Sequence, residues 1–333
     1  MSAIPATFRA YVAEKVGDDV VREVRDFREA DLPSGEVEVR VAWSSVNYKD
    51  GLATRADGKV ARISPLIPGI DLAGEVVSSA DPSIAVGQAV VVHGYDLGVS
   101  RHGGYAEYER VPAGWVVPLA PGLSARDAMS VGTAGFTAAM SVVALEERGL
   151  DPADGPVLVT GASGGVGGTA LAILADRGYE VWAATGKPDE AARLLTMGAA
   201  GILTRAEVIA AGRPLESERW AGAVDAVGGA TLPYVLRTLR TGASVAASGN
   251  AGGAKLDVTV FPFILRGVAL LGMDSANMAI ARRRELWDRI ATDLRPRDTG
   301  VHCTEVTLDT VDEALDGIIA GAARGRWIVR IGA

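Results

Sequence analysis

Residues 157–168 read Val-Leu-Val-Thr-Gly-Ala-Ser-Gly-Gly-Val-Gly-Gly, an apolar run that ends in a glycine cluster. The run has the length of a buried strand, and the residues that follow, to about 177, have helical spacing. In Ala162-Ser163-Gly164-Gly165-Val166-Gly167 the spacing of a GxGxxG turn is kept, with alanine in its first position. A strand, such a turn and a helix in that order are suited to a dinucleotide pyrophosphate. Gly164 lets the backbone approach the phosphates, and Gly167 lets the helix pack on the sheet. The helix start then offers unpaired N–H groups and a positive dipole end. Ser163, Gly164, Gly165, Val166 and Gly167 are therefore the expected phosphate contacts.

The next strand selects the nucleotide. It runs from Val181 and ends in Ala184-Thr185-Gly186-Lys187, with no carboxylate before Asp189. A site for NAD places Asp or Glu there to bind the ribose hydroxyls. A hydroxyl at Thr185 and an ammonium at Lys187 suit the 2′-phosphate of NADP instead, so NADPH is the expected cofactor.

Metal chemistry is poorly supplied. The nitrogen and sulfur ligands of the 333 residues are His93, His102, His302 and Cys303. His302 and Cys303 adjoin in a strand-like stretch and should face apart, whereas a catalytic zinc needs three converging ligands. No metal site is expected. A formal net charge of −8 disfavours nucleic acid or an anionic membrane as partner. No apolar run approaches the ~18 residues of a membrane span; the longest contender, Pro262 to Met273, is interrupted by Arg266. The N-terminus lacks the pattern of a signal peptide. One cysteine suits a reducing compartment, and a cytoplasmic protein is expected.

The elements that must position these groups fall into two textures. Glu36 to Ala42 alternate polar and apolar, as a half-buried antiparallel strand does. Further strands are expected near 7–13, 71–78, 88–93 and 105–111, with a short helix after Asn47. From Leu123 the texture changes. A helix over 124–148 opens on Ser124 and Asp127, and its Gly132 and Gly135 suggest close approach by another group. From Val157 strands and helices alternate, with strands at 202–203, 223–227, 244–247 and 268–272, which implies a parallel sheet covered on both faces. The last sixty residues should hold a helix over 279–293, two strands, a helix over 312–323 and a final strand from Trp327 to Ile331. The fold class is α/β: a doubly wound Rossmann sheet inserted in a mostly antiparallel β part.

Four segments occur in a recognisable order: Ser45-Val46-Asn47-Tyr48-Lys49-Asp50, Gly69-Ile70-Asp71-Leu72-Ala73-Gly74, Gly132-Thr133-Ala134-Gly135-Phe136-Thr137 and the glycine turn. With them the chain resembles the medium-chain dehydrogenase/reductase superfamily, in its zinc-free quinone oxidoreductase branch. Zinc-dependent members carry Gly-His-Glu where this chain has Gly69-Ile70-Asp71. Ser248-Gly249-Asn250-Ala251-Gly252-Gly253, the stretch from Pro262 to Val268 and Gly272-Met273-Asp274-Ser275 make it most similar to the NADPH-dependent acrylyl-CoA reductases. The resemblance implies a GroES-like catalytic domain from 1–125 and 270–333 and a Rossmann domain from 126–269. It implies reduction of the carbon–carbon double bond of a short 2-enoyl-CoA, acrylyl-CoA to propionyl-CoA. An NADPH:quinone oxidoreductase of the zeta-crystallin type is the alternative.

The same resemblance implies site residues. Tyr48, or water, supplies a proton, and Asn47 is an orienting donor. Asp50 and Asp71 would fix Lys49 or Arg326. Arg326 matches a family arginine of the active site, or is a surface residue beside Arg324. Thr133, Ser248, Gly249 and Asn250 fall where relatives contact the nicotinamide and its ribose. Arg282-Arg283-Arg284 would meet coenzyme A phosphates, or is a solvated helix face. Val258 to Gly272, read as a strand at the sheet edge, implies a homodimer.

Overall fold

The fold is that of a computed structural model, described for residues 2–296 and 303–332. The chain divides into two units. One is built from Met1–Thr133 and most of the chain after Ala276, the other from Ala134–Ser275.

The first unit opens with β1 (Thr7–Val16) and β2 (Asp19–Arg28), an antiparallel hairpin that turns at Gly17. Gly17 has φ +64°, which glycine adopts without strain. β2 escapes the sequence reading because Val20, Val21, Val24 and Phe27 do not alternate; only Phe27 is buried. Then follow β3 (Val37–Ser45), α1 (Tyr48–Ala53), β4 (Asp71–Ser79), β5 (Ala89–His93), β6 (Tyr108–Val111) and β7 (Val117–Pro118).

Helix α2 (Ala125–Glu147) is capped as expected: Ser124 Oγ accepts from Asp127 N at 3.1 Å. It bends at Gly132, whose backbone is non-helical. By length and composition α2 is apolar enough to cross a membrane, a feature that a search for uninterrupted apolar runs passes over. Its apolar stretch is 78% buried, which is the burial of a core helix.

The second unit alternates β8 (Val157–Thr160), α3 (Gly165–Asp176), β9 (Val181–Thr185), α4 (Ala191–Thr196), β10 (Ala199–Thr204), α5 (Arg205–Ile209), β11 (Trp220–Asp225), α6 (Thr231–Thr238), β12 (Leu239–Ala247), α7 (Phe261–Arg266) and β13 (Ala269–Gly272). Its strands are all parallel, in the order β10-β9-β8-β11-β12-β13. This is the dinucleotide-binding order, and the strand sequence reverses direction between β8 and β11, where such sheets receive ligands. Leu158, Trp220, Val235, Leu236 and Val245 are at the centre of its core.

The chain then returns to the first unit through α8 (Ile280–Ile290), β14 (Cys303–Thr307), α9 (Val311–Ile319) and β15 (Arg326–Arg330). β14 is the one strand that the described residues hold between α8 and α9, where two are expected; His302 lies outside them. The seven-stranded sheet of this unit runs β14-β15-β3-β4-β5-β7, with β6 also on β3. Its core gathers Phe8, Tyr11, Val39, Leu72, Val92, Tyr105 and Val329.

One expected strand is corrected. Most of the stretch from Val258 to Gly272 is not extended: Phe261–Arg266 is a helix, and only Ala269–Gly272 pairs with β12. Pro262 is tolerated in the first turn of α7, and Gly267, at φ +61°, ends it in the left-handed conformation.

Candidate functional site

Three neighbouring strands bring a charged cluster together in the first unit. Ser45 ends β3, Asp71 begins β4 and Arg326 begins β15. The registers Ile328↔Ser45 and Ser44↔Leu72 place all three at one end of the sheet. Asp71 is fully buried, and its carboxylate is surrounded by donors. Oδ1 accepts from Ser45 N at 2.9 Å, and Oδ2 accepts from Asn47 Nδ2 and Thr133 N, each at 2.9 Å. Ser45 Oγ lies 2.7 Å from Asp71 Oδ2 and 2.6 Å from Arg326 Nη2. The hydroxyl therefore donates to the anion and accepts from the cation. This relay balances two buried charges without direct contact.

Arg326 is 8% exposed, so it is not a surface residue. Its Nη1 reaches Val46 O and Asn47 Oδ1 at 3.4 Å, and its Nε has no acceptor among the described residues. Gly132 makes room for it. A Cβ there would lie 2.3 Å from Arg326 Nη2 and 2.6 Å from Ser45 Oγ, and its φ is +54°. This is the close approach that a glycine inside a helical pattern suggests.

Asp50 has a different task from the one expected. Its carboxylate accepts from Asn47 N at 2.8 Å, Ile70 N at 2.9 Å and Gly69 N at 3.2 Å, which ties the start of α1 to the turn before β4. Burial, and then the charge of Asp71, push it up to about 7. Neither Asp50 nor Asp71 makes an ion pair with Lys49 or Arg326 among the described residues; Lys49 is exposed. Tyr48, the first residue of α1, is 36% exposed, and its hydroxyl makes no hydrogen bond among the described residues.

The arginine run 282–284 is not one surface. Arg283 is fully buried, donates to His93 O at 2.6 Å and lies 4.5 Å from the centre of the Tyr95 ring. Arg282 pairs with Glu285, and Arg284 donates to Val116 O. Helical spacing turns three consecutive side chains in three directions, and this one faces the core. His93 is likewise enclosed, with Trp287 Nε1 donating to its Nε2 at 2.9 Å. Burial and Arg283 hold it well below the usual histidine range. Among the described residues no three His, Cys, Asp or Glu side chains converge as a metal site requires.

In the second unit the glycine turn leads from β8 into α3. The first amide bond of the helix is from Gly168 N to Gly164 O at 2.9 Å. The N–H groups of Gly165, Val166 and Gly167 precede it and have no partner within the helix. A Cβ on Gly167 would meet Gly161 O at 2.4 Å, so glycine is needed for helix and strand to pack this closely. Ser163 is buried, and its Oγ bonds the Thr185 hydroxyl at 3.1 Å.

The loop 248–253 follows β12. Its Ser248 N donates to Asp225 O, and Gly252 N donates to Val227 O. A Cβ on Gly228 would lie 2.6 Å from Gly249 O, so the two loops meet backbone to backbone beside the switch point. Asp225, which the sequence reading missed, anchors them. Its carboxylate accepts from Thr160 Oγ1 at 2.6 Å and Gly228 N at 2.8 Å. An acid at a strand end before two glycines, Asp225-Ala226-Val227-Gly228-Gly229, was the available signal. Unpaired helix amides, glycine cradles and the lack of a carboxylate at the end of β9 suit a phosphorylated dinucleotide.

Comparison with known proteins agrees with this geometry. Residues 33–121 match the alcohol dehydrogenase GroES-like domain, and residues 165–292 match the zinc-binding dehydrogenase domain. The chain is 50% identical over 311 residues to the acrylyl-CoA reductase AcuI of Ruegeria pomeroyi, covering 93% of this chain and 94% of that one. It is 47% identical to YhfP of Bacillus subtilis, named as a quinone oxidoreductase, over 97% and 99% of the two chains. YhfP has been solved with NAD bound, and its fold matches with a TM-score of 0.95, covering 98% of this chain and 100% of that one. The yhdH oxidoreductase of Salmonella enterica, solved with NADP, also gives 0.95 at 46% identity, covering 97% of this chain and 100% of that one.

Proposed function

Because the chain belongs to the medium-chain dehydrogenase/reductase superfamily, in its zinc-free quinone oxidoreductase branch, we propose that it is an NADPH-dependent reductase of a short 2-enoyl-CoA, acrylyl-CoA above all. The observation that carries this reading is the near full-length likeness to the Ruegeria acrylyl-CoA reductase.

The chemistry follows from the residues. The chemistry that NADPH would supply, once held, is a hydride for the β-carbon of the unsaturated thioester, and the matching negative charge would develop on the thioester oxygen. Arg326 is the group to receive that charge: it is cationic, buried, and keeps Nε without an acceptor. A preoriented donor in a site of low dielectric stabilises a developing oxyanion strongly. Ser45 and Asp71 hold the guanidinium, and Asn47 fixes its other edge. Tyr48, exposed and without a hydrogen-bond partner among the described residues, donates the proton to the α-carbon. We assign Ser163 to Gly167 to the pyrophosphate, Thr185 and Lys187 to the ribose phosphate, and Thr133, Ser248, Gly249 and Asn250 to the nicotinamide and its ribose, as the resemblance implies.

The likeness to YhfP favours a second reading, an NADPH:quinone reductase. One assay separates them. NADPH consumption is followed with acrylyl-CoA, crotonyl-CoA and benzoquinone; the proposal expects the highest kcat/KM with acrylyl-CoA, and turnover of benzoquinone alone would refute it.

We place the protein in the cytoplasm on its single cysteine, which suits a reducing compartment. It is assigned as a homodimer on one apolar patch. Val260, Phe261, Ile264 and Leu265 of the α7 region are exposed, as is Leu270 of the edge strand β13. An uncovered edge with apolar side chains invites a second copy. Light scattering should give the mass of two chains, and the mass of one would remove this assignment.

A further inference from the structure

A coenzyme A thioester carries phosphates, and the arginine run expected to meet them is not free to do so. Arg283 is buried, Arg282 pairs with Glu285, and Arg284 donates to Val116 O. Other cations follow Tyr48 in the chain. Residues 49–62 hold Lys49, Arg55, Lys59 and Arg62 against two acids, Asp50 and Asp57. Both acids are engaged: Asp50 is buried on backbone amides, and Asp57 pairs with Arg55 at 3.0 Å. Lys49, Lys59 and Arg62 are exposed, and among the described residues their side chains have no ion-pair or hydrogen-bond partner. On a chain of net charge −8 they make a local field of the opposite sign.

The backbone ties these cations to the helix that Tyr48 begins. Gly58 N donates to Arg55 O, and a Cβ on Gly58 would collide with Leu52 O, so the turn after α1 folds back on the end of that helix. Lys59 comes next. Its φ of +55° is left-handed, which is uncommon outside glycine. Such a conformation persists only where its surroundings impose it, and it recurs at ligand contacts. Arg62 N donates to Val99 O at 2.8 Å, which fixes the far end of the loop. Three residues span at most ~10 Å, so Lys59 and Arg62 can meet anions of one nucleotide. An ammonium and a guanidinium fork suit a diphosphate and a ribose phosphate. In coenzyme A the pantetheine arm separates these groups from the thioester, as the length of α1 separates this loop from Tyr48.

We propose that Lys59 and Arg62 bind the phosphates of the acyl-CoA, with Lys49 adding to the field, and so make the enzyme prefer coenzyme A thioesters to thioesters without a nucleotide. The inference rests on the enoyl-CoA reading above.

Steady-state kinetics of the full-length protein with acrylyl-CoA and acrylyl-pantetheine test it. The parent should show the lower KM with acrylyl-CoA. The double variant Lys59→Ala/Arg62→Ala should raise that KM by roughly tenfold, as the loss of charge-assisted contacts does, and leave its kcat and the KM for acrylyl-pantetheine within about twofold. Added salt should raise the KM for acrylyl-CoA more in the parent than in the variant. Arg62→Lys should keep most of the parent's affinity. A double variant with the parent's KM for acrylyl-CoA overturns the proposal. So does an equal rise for both thioesters, which is the mark of a structural role. A parent that reduces benzoquinone but neither thioester would instead overturn the enoyl-CoA reading, and this inference with it.

Discussion

Asn47 Nδ2 donates to Asp71 Oδ2 across 2.9 Å, which fixes the side-chain amide so that its oxygen is turned toward Arg326. The bond joins the start of α1 to the start of β4. It makes the buried anion a part of the device that orients the cation.

Removing that anion should cost stability as well as activity. Asp71→Asn leaves the Arg326 guanidinium buried without the counter-charge that Ser45 Oγ relays to it, and leaving a buried charge uncompensated costs about 3–5 kcal/mol. Urea denaturation should show a loss of this order. A variant as stable as the parent would mean that Arg326 does not depend on Asp71.

Gly132→Ala should be destabilising by at least about 2 kcal/mol, because the backbone is left-handed there and the new methyl would collide with Arg326. The activity of the folded fraction should fall with it. Unchanged stability and turnover would show that Arg326 does not occupy that space.

Tyr48→Phe tests the proton donor. kcat should fall by about 10²-fold while KM and the affinity for NADPH change little. Full retention of kcat would move the proton source to water.

A pH effect arises away from the site. Glu109 is fully buried on β6; Oε1 accepts from Arg110 N at 3.1 Å and Oε2 has no partner among the described residues. Burial pushes its carboxyl up to about 8. In the unfolded chain it loses its proton near about 4.3. Its contribution is therefore fully present below that value, declines as pH rises, and is lost above about 8. Glu109→Gln should flatten stability between these limits, and equal slopes for variant and parent would contradict the assignment.

Much of this was legible in the residues. The glycine turn, the alternation that followed it and the absence of an acid before Asp189 depend on local spacing, and local spacing is what a sequence displays. Gly132 announced a close approach without saying to what. The partners were hidden because they are set by register: Ser45, Asp71 and Arg326 are brought together by pairing across β15, β3 and β4. Arg283 and Val258 to Gly272 were misread because a cationic run and an apolar run each fit two structures. Burial decided the first, and Pro262 with Gly267 decided the second.

The most direct measurement follows isotope through one turnover. With acrylyl-CoA and NADPH carrying deuterium at both C4 positions of the nicotinamide, mass spectrometry should find propionyl-CoA carrying one deuterium on its β-carbon. Unlabelled product, or no propionyl-CoA from an enzyme that still oxidises NADPH with benzoquinone, would contradict the account.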